Sequence, residues 1–361
     1  MKIAIDCRML GSGGIGSYLQ ALLPLFIKYH ECLCICNEKQ LDQVKSFSPH
    51  QIIVCNVKPF SIRELFFFPI KIARKINKCE AYYTPYFNIP SGVKLRIYST
   101  IHDVIFLDLP ELVSKTGFFV RKLLYRYGIF KSEKVFTVSN FSKERILTHL
   151  HTKKPIIVTY NAVPSWLRQD PYLPKEITCK EEDQYILFVG NIKKHKGLAT
   201  LLDAYGYLID RGFKRKLYIV GNAENFRTGD KEVFDYIKSF PEGKIVFTGK
   251  ISDSQLKDLY YNASLLVQPS FYEGFGMPPL EALYNGTKVV ISDIPVFREI
   301  YDEYPVTYFK TGNSDDLADK IEMVLDKGQE LSSLPDKYTF EKTYEIIERI
   351  IERDYESCNC S

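Results

Sequence analysis

The feature that most constrains the fold is the regular alternation of short apolar runs with segments of helical periodicity along the whole chain. The apolar runs are rich in β-branched residues and have the length of buried strands. Alternation of this kind is typical of βαβ units built around parallel sheets. The predicted strands are 2–6, 32–36, 52–57, 81–84, 97–101, 135–138 and 156–160 in the first half, and 185–189, 216–220, 244–248, 265–268, 288–292 and 306–309 in the second.

The length and the charge distribution predict two domains. A chain of 361 residues exceeds what one hydrophobic core usually supports. Residues 1–170 contain 24 Lys+Arg and 12 Asp+Glu, which leaves 24 and 32 of the totals of 48 and 44 for the rest, so the first part is strongly basic and the second acidic. We expect two doubly wound, Rossmann-like α/β domains facing across a cleft, with ligand sites at the carboxyl ends of the strands. The expected boundaries are an N-terminal domain over 1–165, a linker over 166–184, a C-terminal domain over 185–338 and a helix over 339–361 that packs back on the N-terminal domain.

The sequence predicts a cytoplasmic protein. No run reaches the roughly 18 apolar residues of a spanning helix, and the N-terminus lacks the basic and apolar regions of a signal peptide. The nine cysteines include no CxxC pair. Cys32, Cys34 and Cys36 alternate with apolar residues, which favours packing on a strand over a metal site.

Two segments, 58–78 and 117–134, interleave aromatic with basic residues. One interpretation is contact with an anionic membrane surface, which would hold the protein peripherally on the inner face of the plasma membrane. The other is a pair of ordinary helices that cover a sheet and leave a solvated outer face. Nucleic acid is not an expected partner, because no recognisable nucleic-acid motif accompanies the basic residues.

A glycine-rich loop over 11–16 follows the first predicted strand and satisfies the pattern GxGxxG, with Glu38 about twenty residues further on. A dinucleotide site is one interpretation, but four residues separate the strand end from the first glycine, whereas the dinucleotide fingerprint lies directly in the turn. The alternatives are a structural turn or a loop that binds phosphate or acceptor at the start of a helix. We assign Gly14 and Gly16 to such a loop.

The most informative stretch, 269–283, follows the predicted strand 265–268. Its glycines allow close backbone approach to a ligand, and its prolines fit the first turn of a helix. Glu273 lies in the loop and Glu281 lies eight residues later, about one turn into the helix. The alternative for Glu281 is a favourable interaction with the helix dipole. The main-chain amides predicted to bind phosphate or sugar oxygens are those of Gly274, Phe275, Gly276 and Met277.

A basic loop, 190–197, follows the predicted strand 185–189. Lys193, Lys194, His195 and Lys196 supply positive charge where the helix that follows supplies free amides, so we expect a second phosphate contact. A solvated basic loop is the alternative, above all for the first two lysines.

Three further positions complete the candidate site. His102 ends the predicted strand 97–101, where it could donate a hydrogen bond to the donor sugar or act as an acid-base group. A structural histidine is the alternative. Gly249 and Lys250 follow the predicted strand 244–248, at the position where the family resemblance given below implies contacts with the nucleotide base.

Together these motifs resemble the retaining GT-B glycosyltransferases of the group 1, or family four, type, over nearly the whole chain. The resemblance rests on 14–18, 101–103, 137–142, 189–197 and the Glu-x7-Glu element. It implies that Glu273 contacts the donor hexose, that Glu281 binds the nucleotide ribose, that Lys196 neutralises the diphosphate and that His102 contacts the transferred sugar.

The chain departs from that family at Asn191, where many members carry an arginine. Lys193 or Lys194 is then expected to be the second cation. The Asn-x-x-x-His-Lys form is most similar to mannosyltransferases that assemble bacterial surface polysaccharides, such as lipopolysaccharide O-antigen and capsule. It implies GDP-mannose as the donor, with a UDP-hexose or dTDP-rhamnose as alternatives, and a glycan or polyprenyl-linked acceptor.

The resemblance implies a metal-independent enzyme without a cofactor, since the nucleotide sugar is a substrate. Other functional classes stay open at this point. A nucleotide-sugar epimerase shares the fold, and an NAD-dependent dehydrogenase would use the glycine loop and Glu38. A non-catalytic membrane or nucleic-acid binding protein would use only the basic half.

Overall fold

The computed structural model describes residues 1–168, 181–221, 236–327 and 334–359. The chain divides into two compact units. The first comprises Met1–Pro164 and Tyr338–Ser361, and the second comprises Ser165–Lys337. Each unit is a parallel sheet covered by helices.

The first unit is built on a parallel sheet whose described strands run in the order β3-β2-β1-β4-β5-β6-β7. The order turns back at β1, and β4 pairs with its other edge, as in a doubly wound fold. The strands are β1 Lys2–Asp6, β2 Glu31–Cys36, β3 Gln51–Val54, β4 Ala81–Thr84, β5 Arg96–Ile101, β6 Lys134–Thr137 and β7 Ile156–Val158.

The helices of the first unit connect these strands. Because parallel crossovers are right-handed, the helices before and after the turn at β1 cover opposite faces of the sheet. They are α1 Gly13–Tyr29, α2 Leu41–Ser46, α3 Ile62–Phe66, α4 Ile70–Ile76, α5 Ile105–Asp108, α6 Lys115–Lys131 and α7 Asn140–Leu150. The sequence predicts the first helix over 15–29, and in the structure this helix begins two residues earlier, at Gly13.

The second unit is built on a parallel sheet whose described strands run in the order β10-β9-β8-β11-β12-β13. The turn of this order lies between β8 and β11, which are neighbours although far apart in the chain. The strands are β8 Tyr185–Val189, β9 Lys216–Val220, β10 Ile245–Gly249, β11 Leu265–Gln268, β12 Lys288–Ser292 and β13 Thr307–Phe309. The helices are α8 Leu198–Asp210, α9 Asp253–Asn262, α10 Met277–Tyr284, α11 Pro295–Tyr301 and α12 Ser314–Lys327.

The last helix, α13 Phe340–Asn359, belongs to the first unit. It packs against α1, where the Tyr344 ring stacks on Tyr29 with centroids 5.6 Å apart and His30 Nε2 lies 2.6 Å from Glu348 Oε2. Farther along, the Tyr98 hydroxyl donates to Asp354 at 3.2 Å. The final helix is thus held by aromatic packing and by polar contacts to the rest of its unit.

The core of the second unit shows why its apolar runs become strands. Ile186 and Phe188 of β8 are fully buried beside Leu201 and Tyr205 of α8. All five residues of β8 are buried, which is expected for a parallel strand covered on both sides. The same holds for β2, where Cys32, Cys34 and Cys36 are buried together with the residues between them.

The predicted α/β architecture of two doubly wound domains is confirmed, and its strands are placed within one to three residues. The predicted linker, 166–184, lies mostly outside the described residues. Its described ends are in contact with the second unit, where Asn285 Nδ2 donates to Leu167 O and Arg215 pairs with Glu181 at 2.8 Å. Within the described residues, none of the helices combines the length and apolarity needed to cross a membrane.

Candidate functional site

Two loops meet at the carboxyl ends of β8 and β11. Because these strands are parallel neighbours, the segments that follow them leave the sheet at the same edge. After β8 the chain forms a short 3-10 helix, Lys194–Lys196, and enters α8 at Gly197. The loop after β11 lies against it, since the Phe271 N–H donates to His195 O at 2.8 Å.

The centre of the site is an ion pair between these loops. Lys196 Nζ lies 2.7 Å from both Oε1 and Oε2 of Glu273. The Ser270 hydroxyl donates to the same carboxylate at 2.8 Å, and Gln268 Nε2 lies 3.4 Å away. Glu273 is buried, whereas the Lys196 side chain keeps 21% of its surface exposed. The lysine is therefore the member of the pair that an anionic ligand can reach.

Glycines allow the two loops to approach so closely. Gly197 has φ +69°, and a Cβ there would lie 1.9 Å from Pro269 O. Gly276 has φ +87°, and a Cβ there would lie 2.3 Å from the Phe297 ring. A side chain at position 197 would push the two loops apart, and one at position 276 would displace the Phe297 ring of α11. Either substitution would bring backbone strain as well.

A tyrosine fixes the start of α10. The Tyr301 hydroxyl donates to Gly276 O and accepts from the Leu280 N–H at 3.1 Å. Pro278 and Pro279 occupy the first turn, where a missing N–H costs no helical hydrogen bond. The turn that follows the glycine loop is thereby held in one conformation.

Glu281 lies in a different environment from Glu273. It is buried, and its Oε2 accepts a 2.5 Å hydrogen bond from the hydroxyl of Tyr260 on α9. Burial raises the pKa of the Glu281 carboxyl to about 7, and the bond from Tyr260 only partly offsets that rise. Near neutral pH the group is therefore divided between a neutral acid and a carboxylate that can accept hydrogen bonds from hydroxyl groups.

His102 belongs to the first unit, at the carboxyl end of β5. Its Nε2 lies 3.1 Å from Pro85 O, and its ring packs edge-on against Tyr18 with centroids 4.9 Å apart. Burial lowers the pKa of His102 to about 4, so the ring is neutral at pH 7. Because a carbonyl only accepts, Nε2 carries the proton and Nδ1 is an acceptor. The expected hydrogen-bond donor is thus already engaged by Pro85, and Nδ1 is the ring atom that can accept a hydrogen bond. The contact of His102 with a sugar stays a prediction.

Residues 171–341, which span most of the second unit and the start of the last helix, match the sequence model of the family described as glycosyl transferases group 1. We call this part of the chain, which is just under half of its length, the group 1 segment. The chain is 30% identical over 209 residues to the O-antigen chain mannosyltransferase RfbU of Salmonella typhimurium, covering 56% of this chain and 53% of that protein. It is 28% identical over 232 residues to the O-antigen chain mannosyltransferase B of Escherichia coli, covering 61% and 58%. The matches thus span little more than half of these relatives.

The fold of the whole chain is also found among solved structures. A glycosyltransferase from Rickettsia africae superposes with a TM-score of 0.73 at 18% identity, over 98% of both chains. At that identity the likeness concerns the fold alone. The two parallel sheets described above confirm the predicted GT-B fold, and the match of the group 1 segment supports the resemblance to group 1 glycosyltransferases drawn from the motifs.

Within the group 1 segment, the basic loop differs from expectation at His195. Burial, with the charges of Lys196 and Lys193, lowers the pKa of His195 to about 3. The ring is therefore neutral at pH 7 and adds no positive charge to the loop, contrary to the prediction. Lys193 and Lys194 are exposed. Their role as a second cation stays a prediction.

The remaining donor-binding predictions lie on strand ends of the group 1 segment. Asn191 is exposed. The residue before it, Gly190, approaches Gly221 closely, because a Cβ on Gly221 would lie 2.2 Å from the Gly190 carbonyl oxygen. Gly249 ends β10, the edge strand, with φ +68°, and Lys250 follows it. The contacts of Gly249 and Lys250 with a nucleotide base, and of Asn191 with the donor, stay predictions.

Ligand binding by the main-chain amides of residues 274–277 also stays a prediction. The structure shows that these four residues differ in burial. Phe275 is buried at 3% exposure and Gly276 is held by Tyr301, as described above. Gly274 and Met277 are partly exposed. The loop thus combines one buried ring with backbone that solvent can reach.

The two glycines predicted in the first unit differ in what surrounds them. A Cβ on Gly16 would lie 2.8 Å from Met9 O and from Gly11 N, so the close packing of the turn before α1 requires glycine there. A Cβ on Gly14 would meet nothing within 4 Å. The pattern GxGxxG is therefore explained in part by packing, and the interpretation of Gly14 as a ligand contact stays a prediction.

Sequence reasoning missed the groups that hold the two carboxylates, Ser270 and Tyr260, and the group that fixes the start of α10, Tyr301. Ser270 could have been noticed three residues before Glu273 in the same loop, but Tyr260 and Tyr301 come from other helices. A buried tyrosine normally finds a partner for its hydroxyl, which is the only signal these two positions offered.

Proposed function

We propose that the protein transfers a hexose from a nucleoside diphosphate sugar to a hydroxyl group, with retention at the anomeric carbon. The best-supported donor is GDP-mannose, because both relatives described above carry the name of O-antigen chain mannosyltransferases. The acceptor is a glycan or a polyprenyl-linked glycan in surface polysaccharide synthesis. A UDP- or dTDP-sugar donor is the alternative.

The observation that carries this proposal is the ion pair of Lys196 and Glu273 at the ends of neighbouring strands. An ammonium group has three hydrogen-bond donors, and two of them are directed at the carboxylate. The third remains for a phosphate oxygen of the donor. Glu273 then accepts from a hydroxyl of the hexose, and Glu281, eight residues later, accepts from the ribose.

In the proposed reaction the bond from the anomeric carbon to the diphosphate oxygen breaks first. The acceptor oxygen forms its bond to the same carbon on the same face, and its proton passes to an oxygen of the leaving diphosphate. Lys196 and the amides near Gly276 and Met277 stabilise the negative charge that grows on the leaving group. Fixed charges of this kind act most strongly where water is excluded.

We also propose that this charge stabilisation needs neither a divalent cation nor a cofactor. The test is the rate of GDP release from GDP-mannose in excess chelator. A rate equal to that with added magnesium supports the proposal. A rate restored only by the metal contradicts it.

The decisive variant is Lys196→Ala, with Lys214→Ala as the matched control. Lys214 is an exposed lysine of the same unit that precedes β9. Loss of one preorganised donor to developing charge lowers kcat by about 10² to 10³. We expect that loss for Lys196→Ala and an unchanged rate for the control, with isolated bacterial membranes as the source of acceptor. An unchanged rate for Lys196→Ala would refute the role.

The products separate the rival activities. A transferase releases GDP and leaves mannose in the acceptor, where the configuration of the new bond is measured by NMR. An epimerase converts the nucleotide sugar without releasing GDP. Labelled UDP-glucose and dTDP-rhamnose in parallel reactions decide between the donors.

A lipid-linked acceptor would bring the protein to the inner face of the plasma membrane, and we propose peripheral attachment there.

A further inference from the structure

The first unit exposes large apolar side chains along one face of α6. Phe119, Leu123 and Phe130 are 65%, 64% and 73% exposed. Their spacing of four and seven residues places them on one side of the helix. The opposite side is buried through Tyr125 and Ile129. The helix α6 is thus apolar on both sides. A helix that only covers a sheet needs an apolar face on the side that contacts the sheet and not on the opposite side.

A second exposed group lies on α3 and α4. Phe66 and Phe67 are 70% and 71% exposed, although Phe68 beside them is buried in the core. Single exposed apolar residues are normal, but large ones in succession are not. Ile62 and Ile70 share this exposure.

The two groups are joined through the ring of Phe87. It lies 5.3 Å from the ring of Phe60 and 4.0 Å from the ring of Tyr125 on α6. This contact reaches α6 from its buried side, but the helices α3, α4 and α6 all lie on the same face of the sheet by the handedness of the crossovers, so both exposed groups lie on one side of the unit. We define the two groups together as the outer apolar surface, comprising Phe60, Ile62, Phe66, Phe67, Ile70, Phe119, Val120, Leu123 and Phe130.

Within the segments 58–78 and 115–132, which carry the outer apolar surface, the exposed charges are all positive. Residues 115–132 contain no Asp or Glu, and Lys115, Arg126 and Lys131 are exposed there. Segment 58–78 contains one acidic residue, Glu64, and it is buried. The exposed basic residues of that segment are Lys58, Arg63, Lys71, Arg74, Lys75 and Lys78. The surface therefore complements an anionic partner.

The buried Glu64 holds the exposed aromatic segment in place. Its Oε1 lies 2.5 Å from Arg8 Nη2, and its Oε2 accepts from Asn88 Nδ2 and from the Phe60 N–H, each at 2.8 Å. Phe60 has φ +59°, a conformation that the last of these bonds helps to maintain. The apolar residues are thus presented by a fixed backbone, not by a loose loop.

We propose that the outer apolar surface is where the first unit docks on an anionic phospholipid bilayer. Its exposed rings enter the interface between headgroups and acyl chains, and the surrounding lysines and arginines contact the headgroup phosphates. This inference rests on the proposed function only in that a lipid-linked acceptor requires the enzyme at a membrane. The surface itself is argued without reference to the donor site.

The test is co-sedimentation of the full chain with vesicles of phosphatidylcholine alone or mixed with phosphatidylglycerol. We expect binding to the mixed vesicles that weakens with added salt. Phe119→Gln with Leu123→Gln should lower the affinity at least about tenfold, because two side chains no longer insert. Lys115→Gln with Arg126→Gln should lower it by about fivefold for each charge removed.

The matched control is Lys39→Gln with Lys45→Gln. These exposed lysines lie between β2 and β3, on the opposite face of the sheet from α6 by the handedness of the crossovers, and should leave binding unchanged. All the substituted side chains are exposed, so the thermal unfolding temperature should be retained.

The proposal is wrong if the protein does not bind the mixed vesicles. It is also wrong if the Phe119→Gln/Leu123→Gln variant binds them as well as the wild type does. Sedimentation velocity then tests the alternative, because a dimer that this variant abolishes, in a protein that does not bind vesicles, would contradict the membrane proposal. The last result would assign the surface to a second copy of the chain. GDP binding in solution is measured on the same preparations, so failure of the membrane proposal is distinguished from failure of the proposed function.

Discussion

Replacing Glu281 by glutamine is expected to stabilise the protein at pH 8 and to leave its stability unchanged at pH 4. The carboxyl is 8% exposed, and burial raises its pKa from 4.5 to about 7. Between these two pH values the folded state keeps a proton that the unfolded state has lost. The wild type therefore loses stability as the pH rises from 4.5 to 7, and loses no more above that range.

The expected size follows from the shift of pKa. One pKa unit corresponds to 1.36 kcal/mol, so the wild type is destabilised by about 3 kcal/mol at pH 8. Glutamine cannot ionise but can still accept the hydrogen bond from Tyr260. A unit of this size gains roughly 2–4 °C in Tm per kcal/mol, which gives a difference of about 6–12 °C.

The assay is thermal unfolding of both proteins from pH 4 to pH 8, followed by circular dichroism. Glu242→Gln makes the same chemical change at an exposed position of the same unit and is the matched control. Parallel curves for the wild type and Glu281→Gln, or a less stable variant at pH 8, would refute the reasoning. A stabilised variant that binds GDP more weakly would show that the buried acid is retained for ligand binding at the expense of stability.

Two further substitutions test the packing of the units. Gly197→Ala should lower the free energy of unfolding by at least about 2 kcal/mol more than Gly212→Ala, since both residues have positive φ but only a Cβ on Gly197 meets a backbone carbonyl; equal losses in urea unfolding would contradict this. Arg8→Leu should cost about 3–5 kcal/mol, because it leaves the buried carboxylates of Asp6 and Glu64 without their cation. A fully stable Arg8→Leu protein in the same assay would show that the buried cluster does not depend on that charge.

Strand-end reasoning explains how much of the site could be predicted. Lys196 and Glu273 were each assigned to a loop after a strand, and the sheet order then brings the two loops together. Their direct ion pair was not predicted, because the sequence does not show that β8 and β11 are neighbours. Periodicity detects strands but not their order.

Contacts between elements that are distant in the chain could not be predicted from the sequence. Arg8 follows the first strand, and its partner Glu64 lies 56 residues further along the chain. Tyr260 and Glu281 meet across two helices. Such pairs depend on the angles at which elements pack, which no local pattern records.

Segments 58–78 and 117–134, which interleave aromatic with basic residues, show a different limit of prediction from the sequence. Composition left two interpretations open, a membrane surface and helices that cover the sheet. The structure shows that these segments contain both buried and exposed apolar residues, since Phe68 and Ile76 are buried whereas Phe66 and Phe67 are exposed. These neighbouring phenylalanines differ in burial because the chain turns between α3 and α4. Their hydropathy is the same, so it does not distinguish the buried residue from the exposed ones.

The most direct test of the central claim is the change in unfolding temperature of the full chain with GDP, UDP, dTDP and NADH, each added separately. A ligand at about 100 times its Kd adds about 2.7 kcal/mol to the stability of the state that binds it. The account predicts a rise with GDP that Lys196→Ala reduces and Lys214→Ala leaves intact. A rise with NADH alone would contradict it and move the nucleotide site to the glycine loop of the first unit.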